Sequence, residues 1–376
     1  MSMTSKERMI TAMWNKKPDM VPVAPDLSNM VPCKLTGKPF WEIYVNQNPP
    51  LWKAYVDAVK FFKMDGWFIY GGPDENRASR IKTEVKFIEK TSERWTAEKI
   101  FHTPEGTVTE IWAYPKGDSE SVIKKAVQNF ERDWKCIKYF YPEEIDADFK
   151  TWEEMKKYAG DSCATGMHVD TPMLPFHWLK GQLEEATMLY YEKPDIMEEY
   201  RKVLHRHFIA KTEACLKHKP DFILIGASGS ITMQSPEIVQ KMQMETFAGI
   251  SRLCKNAGVP CMLHSCGKER ILVDMLGEQT DVTIVNPLEE PPMGDCFLDE
   301  VKKAWGHKLA LMGNLNTPEL MLKGSVEDIE KASKKAIDDA GENGGFILST
   351  GDQCGRDTPY ENIEAMVRVA RSYGKY

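Results

Sequence analysis

Short apolar runs of six or seven residues recur along the chain, separated by longer segments in which apolar residues follow helical spacing. Eight of these runs predict strands, at residues 20–25, 66–71, 163–169, 221–227, 260–266, 282–288, 309–315 and 345–351. Nearly every position in them is apolar, which is typical of parallel strands buried on both faces. Eight strands alternating with helices predict an α/β protein, a (β/α)8 TIM barrel built as a single domain over residues 1–376.

One segment departs from this alternation of strands and helices. Residues 81–115 alternate polar and apolar positions, and the stretch "TPEGT" within them has the composition of a turn. The pattern predicts an antiparallel hairpin inserted between the second and third barrel strands.

Composition narrows the classes of function. The chain has 376 residues, a formal net charge of -7 and a pI of about 5.8, so a basic nucleic-acid footprint is not expected. No apolar run reaches the length of a membrane span, and the first residues lack the apolar segment of a signal peptide. We therefore expect a cytoplasmic protein that binds neither nucleic acid nor membrane, and a homo-oligomer is compatible with the sequence. Nine scattered cysteines do not indicate a disulfide framework in a reducing compartment.

Three residues suggest a metal site. His264 and Cys266 close the predicted fifth strand two positions apart, so both side chains point to the same face. Cys354 lies in the loop after the eighth strand, and barrel active sites form where the strands end. One His and two Cys suit a zinc ion whose fourth position stays open for substrate. From spacing alone, catalytic zinc, buried structural thiols and a redox role all remain open.

Several stretches resemble the uroporphyrinogen decarboxylase superfamily. They are "SKERMITAMWNKKPDMVPVAP", "HSCGKERILVDMLGEQTDVTIVNP", "MGNLNTPELMLKGSVEDIEKASKKAI" and "GGFILSTGDQCGRDTPYENIEAMVRVARSYG". The resemblance covers nearly the whole chain and implies a (β/α)8 barrel. That superfamily has two main branches. Its decarboxylases use no metal and hold a tetrapyrrole with an arginine-bearing N-terminal loop, whereas its cobamide-dependent methyltransferases carry zinc on a His-x-Cys…Cys set.

This sequence is similar to the methyltransferase branch. His264, Cys266 and Cys354 stand at the matching places, and "APDLSNMVPCKLTGKPF" has no arginine where the decarboxylases carry theirs. The resemblance therefore implies a zinc methyltransferase that works with a corrinoid (cobalamin) carried by a separate partner protein. The methyl group would come from a small-molecule donor such as a methoxylated aromatic, in an O-demethylation. The alternative within the branch is a methylcobamide:thiol methyltransferase of the coenzyme M type.

Two other hypotheses differ in class. A porphyrinogen decarboxylase would need no metal, and a barrel that only stores or senses a corrinoid or metal would show no turnover. The strand ends and following loops supply candidate substrate-binding residues, each of which could instead pack the barrel mouth: Asp26, Asn29, Trp67, Tyr70, His177, Trp178, Asn286, Asn314 and Gln353. The aromatic residues among them favour the methyl-donor hypothesis. The basic residues near the predicted zinc ligands are Lys268, Arg270 and Arg356.

Overall fold

Seven parallel strands form the centre of the fold in a computed structural model that describes residues 3–73 and 81–376. In spatial order they are β1 (Gly66–Gly71), β6 (Cys163–Asp170), β7 (Phe222–Gly226), β8 (Cys261–Ser265), β9 (Ile284–Pro287), β10 (Ala310–Leu315) and β11 (Phe346–Thr350). Each of the seven corresponds to a run predicted from the sequence. Nearly all of their residues are buried, as continuous apolar patterning requires.

The remaining predicted strand, residues 20–25, completes the ring without forming a regular ladder. It makes a single parallel bridge, from Val23 to Leu348 in β11, while the amide of Asp65 donates to the Val23 carbonyl on its other side. Pro22 and Pro25 explain the short pairing, because neither residue has an N–H to donate. Residues 20–25, the closing segment, therefore lie between β11 and the start of β1, where the eighth strand of a barrel belongs.

The predicted insertion is present between β1 and β6 but is larger than one hairpin. It is a four-stranded antiparallel sheet of β2 (Lys82–Lys90), β3 (Arg94–Thr103), β4 (Gly106–Pro115) and β5 (Ser121–Lys124). The "TPEGT" turn joins β3 to β4, as predicted. The extra strands were not apparent from patterning because β2 is exposed along nearly its whole length and β5 is only four residues long.

Helices surround the parallel sheet and fill the connections. They are α1 (Ser5–Met13), α2 (Met30–Leu35), α3 (Phe40–Tyr44), α4 (Leu51–Phe62), α5 (Phe130–Ile137), α6 (Lys150–Ala159), α7 (Gln182–Glu192), α8 (Pro194–Lys217), α9 (Ser230–Met233), α10 (Pro236–Met242), α11 (Met244–Ala257), α12 (Arg270–Gln279), α13 (Leu298–Trp305), α14 (Val326–Ala340) and α15 (Tyr360–Ser372). Within the described parts of the chain, none of them has the length and apolar character needed to cross a bilayer.

A buried carboxylate joins the two ends of the chain to the barrel. Asp65, which is fully buried, immediately precedes β1. One of its oxygens lies 2.8 Å from the guanidinium of Arg8 in α1, and the other lies 2.7 Å from that of Arg371 in α15. The second oxygen also accepts the amide of Val23 at 2.9 Å. A single side chain therefore holds both terminal helices and the closing segment at the barrel seam.

A second buried carboxyl group, that of Glu269, lacks the hydrogen bonds and ion pairs that Asp65 makes in the described part of the chain. Glu269 immediately precedes α12 and is 3 % exposed, and neither of its carboxyl oxygens has a hydrogen-bond partner among the described residues. The nearby Ser265 hydroxyl donates instead to the carbonyl of Ala227. Burial raises the pKa of Glu269 to about 8, so the folded protein keeps this side chain protonated at neutral pH.

We expect Asp65→Ala to lower the free energy of unfolding by about 3–5 kcal/mol, because it leaves two arginines at the seam without their buried partner. Urea denaturation followed by circular dichroism measures the change. The matched control is Lys323→Ala, which removes the exposed 2.7 Å pair with Glu319 and is expected to cost less than about 1 kcal/mol. Equal losses for the two variants would contradict the role given to Asp65.

We expect Glu269→Gln to flatten the pH dependence of stability. Between the unfolded pKa of 4.5 and the folded pKa of about 8, the unfolded chain loses this proton while the folded protein keeps it. The free energy of unfolding therefore falls as pH rises across that window, by at most about 1.4 kcal/mol per pH unit. Denaturation of wild type and variant from pH 5 to pH 8 should show the variant gaining relative stability with pH. Parallel pH profiles would show that Glu269 titrates normally.

Candidate functional site

A cavity of about 580 Å³ opens at the carboxyl ends of the parallel strands. Seven of the residues predicted from the sequence line it: Asp26, Asn29, Trp67, His177, Trp178, His264 and Gln353. They come from the loop after the closing segment, from β1, from the turn after β6, from β8 and from the loop after β11. Chain segments far apart in sequence thus meet at the end of the barrel where active sites form.

His264 is held in a fixed orientation at this cavity. Its Nδ1 lies 2.5 Å from Oδ1 of Asn286, which is its register partner on the neighbouring strand β9. Asn286 is buried, and its amide nitrogen donates to the carbonyl of Met312 in β10. Because the amide oxygen of Asn286 can only accept a hydrogen bond, Nδ1–H of His264 is the donor, and Nε2 is the nitrogen left for another partner. The imidazole can therefore act as a ligand or proton acceptor through Nε2.

The two predicted thiol ligands lie behind the cavity wall. Cys266 is half-buried and Cys354 is fully buried. Burial raises the pKa of the Cys266 thiol to about 11, and the Asp352 carboxylate adds to the rise. Burial also raises the pKa of Cys354, with further contributions from Asp26 and Asp352. The same carboxylate, Asp352, therefore acts on both thiols and opposes their ionisation.

These residues fit a metal in their chemistry. Among the described residues, no three His, Cys, Asp or Glu side chains are already gathered at metal-binding distances. One imidazole nitrogen and two thiol sulfurs are nevertheless the donors that zinc prefers over magnesium or calcium. A cation is also the group that would offset the carboxylates and favour the thiolate forms of Cys266 and Cys354.

The loop after the closing segment forms one rim of the cavity. The amide nitrogen of Gln353 donates to Ser28 Oγ at 2.8 Å and also to Asn29 Oδ1. The Asp26 carboxylate accepts the amide of Ser28, and the Asp26 amide donates to the Thr350 hydroxyl. The N-terminal loop and the loop that carries Cys354 are therefore joined side chain to side chain above β11.

Three predicted substrate residues do not line the cavity. Tyr70 lines an adjacent pocket beside Trp152 and is absent from the lining of the cavity, whereas Ile69 lines both. Asn314 is buried and donates to the carbonyl of Leu288, which is a structural contact. Asn286 supports His264 from behind and does not reach the cavity itself.

The cavity also contains side chains that sequence reasoning missed. Asp170 ends β6, with its Oδ1 3.3 Å from Nε2 of His168, and both residues line the cavity. The rule that polar residues at strand ends form barrel sites would have found Asp170. Tyr200 reaches the cavity from α8, with its hydroxyl donating to the carbonyl of Met173. No sequence signal separates Tyr200 from the other apolar positions of that 24-residue helix.

Curated relatives match part of the chain. A methylcobamide:CoM methyltransferase MtaA from Methanosarcina barkeri is 27% identical over 183 residues, covering 48% of this chain and 50% of that protein. A methylcobamide:CoM methyltransferase MtbA from Methanosarcina mazei is 28% identical over 168 residues, covering 44% of this chain and 46% of the relative. The matches thus extend over about half the length of these relatives.

A solved structure and a family model cover more of the chain. The structure of a methyltransferase from Methanosarcina mazei superposes over 99% of both chains with a TM-score of 0.66 at 16% identity, which confirms the TIM-barrel-like fold. The family model described as uroporphyrinogen decarboxylase (URO-D) matches residues 177–373, the part that carries His264, Cys266 and Cys354. On this match over more than half of its length, the chain belongs to the uroporphyrinogen decarboxylase (URO-D) family.

Proposed function

We propose that this protein is a zinc-dependent methyltransferase that moves a methyl group between a small molecule and the corrinoid of a partner protein. The observation that carries the proposal is His264, which presents Nε2 at the barrel mouth while Asn286 holds Nδ1. Cys266 and Cys354 belong to the same family-matched region. The methylcobamide:CoM methyltransferases that match half of their length to this chain support corrinoid chemistry over other reactions.

His264, Cys266 and Cys354 are the residues proposed to hold the metal. Zinc bound there supplies Lewis-acid chemistry, polarising an ether oxygen or lowering the pKa of a thiol. The protein's own contribution is orientation and exclusion of water. Asn286 fixes the His264 ring, while Trp67 and Trp178 present apolar surface that displaces water from the cavity.

The methyl donor that we favour is a methoxylated aromatic compound. The cavity of about 580 Å³ is large enough for a substituted ring, since small-molecule pockets commonly measure about 300–1,000 Å³. Trp178 is partly exposed and offers an aromatic surface on which such a ring can stack, whereas Trp67 and Tyr200 line the cavity as buried side chains. The second candidate is methyl transfer from a methylcobamide to coenzyme M, which the names of the curated relatives favour.

A porphyrinogen decarboxylase fits the cavity rim less well. The N-terminal loop from Ala24 to Phe40 has no arginine, and it lines the cavity with Asp26, Ser28 and Asn29. None of these three side chains is cationic, so the loop supplies no charge to bind the acidic side chains of a tetrapyrrole.

Metal analysis of protein purified without added metal tests the zinc site. We expect about one zinc per chain in the wild type and a loss of most of it in Cys266→Ala, because a three-ligand site lacks redundancy. The matched control is Cys136→Ala, a buried cysteine in α5, which should keep its zinc. Wild-type protein that is folded but free of zinc would exclude the proposed site.

The role of Asn286 is tested by metal affinity. We expect Asn286→Ala to weaken zinc binding by about 10–100-fold, because the His264 ring loses the hydrogen bond that fixes its orientation. A chelator competition titration measures the affinity. Asn314→Ala is the matched control, since it removes a buried amide on the next strand that contacts the Leu288 carbonyl and not His264. Equal weakening in both variants would indicate general loosening of the barrel mouth.

The reaction is tested by incubating the protein with aryl methyl ethers and a reduced corrinoid, and separately with methylcobalamin and coenzyme M. Formation of methylcobalamin, followed by its absorption spectrum, and release of the free phenol would establish the donor direction. Methylation of coenzyme M would instead establish the second candidate. Absence of transfer in both assays with zinc-loaded protein would support a barrel that only binds a corrinoid or metal.

A further inference from the structure

The cavity lining contains acidic side chains but no lysine or arginine among the described residues. Asp26, Asp170 and Asp352 all contribute carboxyl groups, and burial raises the pKa of the Asp26 carboxyl. The other titratable residues of the lining include three histidines, and one of these, His264, is a proposed metal ligand. A ligand that enters this cavity therefore meets Asp170, which is paired with His168, and Asp352, with no lysine or arginine among the described lining residues.

The nearest basic side chains are directed elsewhere. Lys125 donates to the backbone carbonyl of His177 at 2.5 Å, outside the cavity lining. Lys211 lines the adjacent pocket, where its charge acts on Asp170 from behind. Arg356 pairs with Asp357, and Arg270 pairs with Asp274. Lys268 is exposed and does not line the cavity, so none of the three basic residues near the predicted zinc ligands is part of its lining.

A carboxylate or sulfonate on the substrate would be poorly held in this environment. It would lose part of its hydration on entering the cavity and would meet Asp170 and Asp352 in place of an arginine or lysine. A neutral ring has less hydration to lose on entry, and one of its faces can stack against the partly exposed Trp178.

Polar groups for a neutral substituent are present on the wall next to His264. His168 and Asp170 lie 3.3 Å apart at the end of β6. Gly226, the register partner of both Asp170 and His264, leaves room for this pair: a Cβ on Gly226 would lie 2.3 Å from His168 Nε2. The missing side chain lets the His168 ring lie across β7, toward the strand that carries His264. A ring hydroxyl can donate to the carboxylate of Asp170 or bond to the His168 ring.

We infer that the methyl donor is an uncharged methoxyphenol, bound with its ring against Trp178 and its hydroxyl toward His168 and Asp170. The inference rests on the proposed function and names its substrate class. In the transfer, the bond between the methyl carbon and the ether oxygen breaks, and a bond forms between that carbon and the reduced cobalt of the partner's corrinoid. Cobalt supplies the electron pair for the new bond. The ether oxygen keeps the old pair and takes a proton, so the product is a dihydroxybenzene.

Calorimetric titration at neutral pH tests the charge selectivity without requiring turnover. The probes are 2-methoxyphenol and 4-hydroxy-3-methoxybenzoate, which share the same ring and differ by one carboxylate. We expect the neutral probe to bind at least about tenfold more tightly, since close like-charge contacts cost enough to change affinity by that factor or more. Equal or tighter binding of the benzoate, or no binding of either ring, would overturn the inference.

Introducing a positive charge at one lining position gives the matched variants. Met173 lines the cavity, and its backbone carbonyl, which holds Tyr200, is retained on substitution. We expect Met173→Arg to improve binding of the benzoate by about tenfold, because it supplies the missing cation. Met173→Gln, similar in size and uncharged, should leave the preference for the neutral probe unchanged. A folded Met173→Arg protein that gains nothing for the benzoate would contradict the charge argument.

The two proposals fail in different ways. If 2-methoxyphenol binds with the expected preference but no methyl group reaches reduced cobalamin, the proposed function fails and the charge selectivity of the cavity stands. If methyl transfer occurs faster with the benzoate than with the phenol, the methyltransferase function stands and the inferred substrate class is wrong.

Discussion

The barrel depends on one buried carboxylate at its seam. Asp65 contacts α1 through Arg8, α15 through Arg371 and the closing segment through the amide of Val23. The cavity residue Asp26 follows Val23 by three positions, and Trp67 follows Asp65 by two. The ion pairs that close the ring therefore also set the position of two walls of the cavity, although Asp65 lies before the start of β1 and the cavity opens at the carboxyl ends of the strands.

Strand register then arranges the rest of the site. Asp170, Gly226, His264 and Asn286 are consecutive register partners across β6, β7, β8 and β9. Register partners in a parallel sheet point to the same side, so these four positions form one row across the barrel mouth. Each position in the row has a different part in the site. Asp170 supplies a carboxylate, and Gly226 leaves space because it has no side chain. The ring of His264 faces the cavity, and the amide of Asn286 orients that ring. The gap at Gly226 is what lets the His168 ring approach the strand that carries His264.

The sequence was most informative where one physical requirement dominated. Strands buried on both faces need apolar residues at nearly every position, so β1 and the six later parallel strands could be predicted as runs. Residues 20–25 looked the same, but prolines removed the donors that a ladder needs. Strand ends indicated His264 and Trp67, because topology alone brings them to one face. Tyr200 could not be predicted in this way, since its position depends on how α8 packs against the barrel.

The negative charge of the site connects the proposed metal binding with the proposed preference for an uncharged substrate. If His264, Cys266 and Cys354 hold a divalent cation, the two thiolates balance both of its charges, so the metal does not offset Asp352, and Asp170 keeps His168 as its partner. The carboxylates that make a bare thiolate costly would thus still repel an anionic substrate after the metal is bound. Under the proposed function, such a site would favour neutral donors without a dedicated specificity loop. The carboxylates and thiolates around the cation together carry more negative charge than the cation can neutralise.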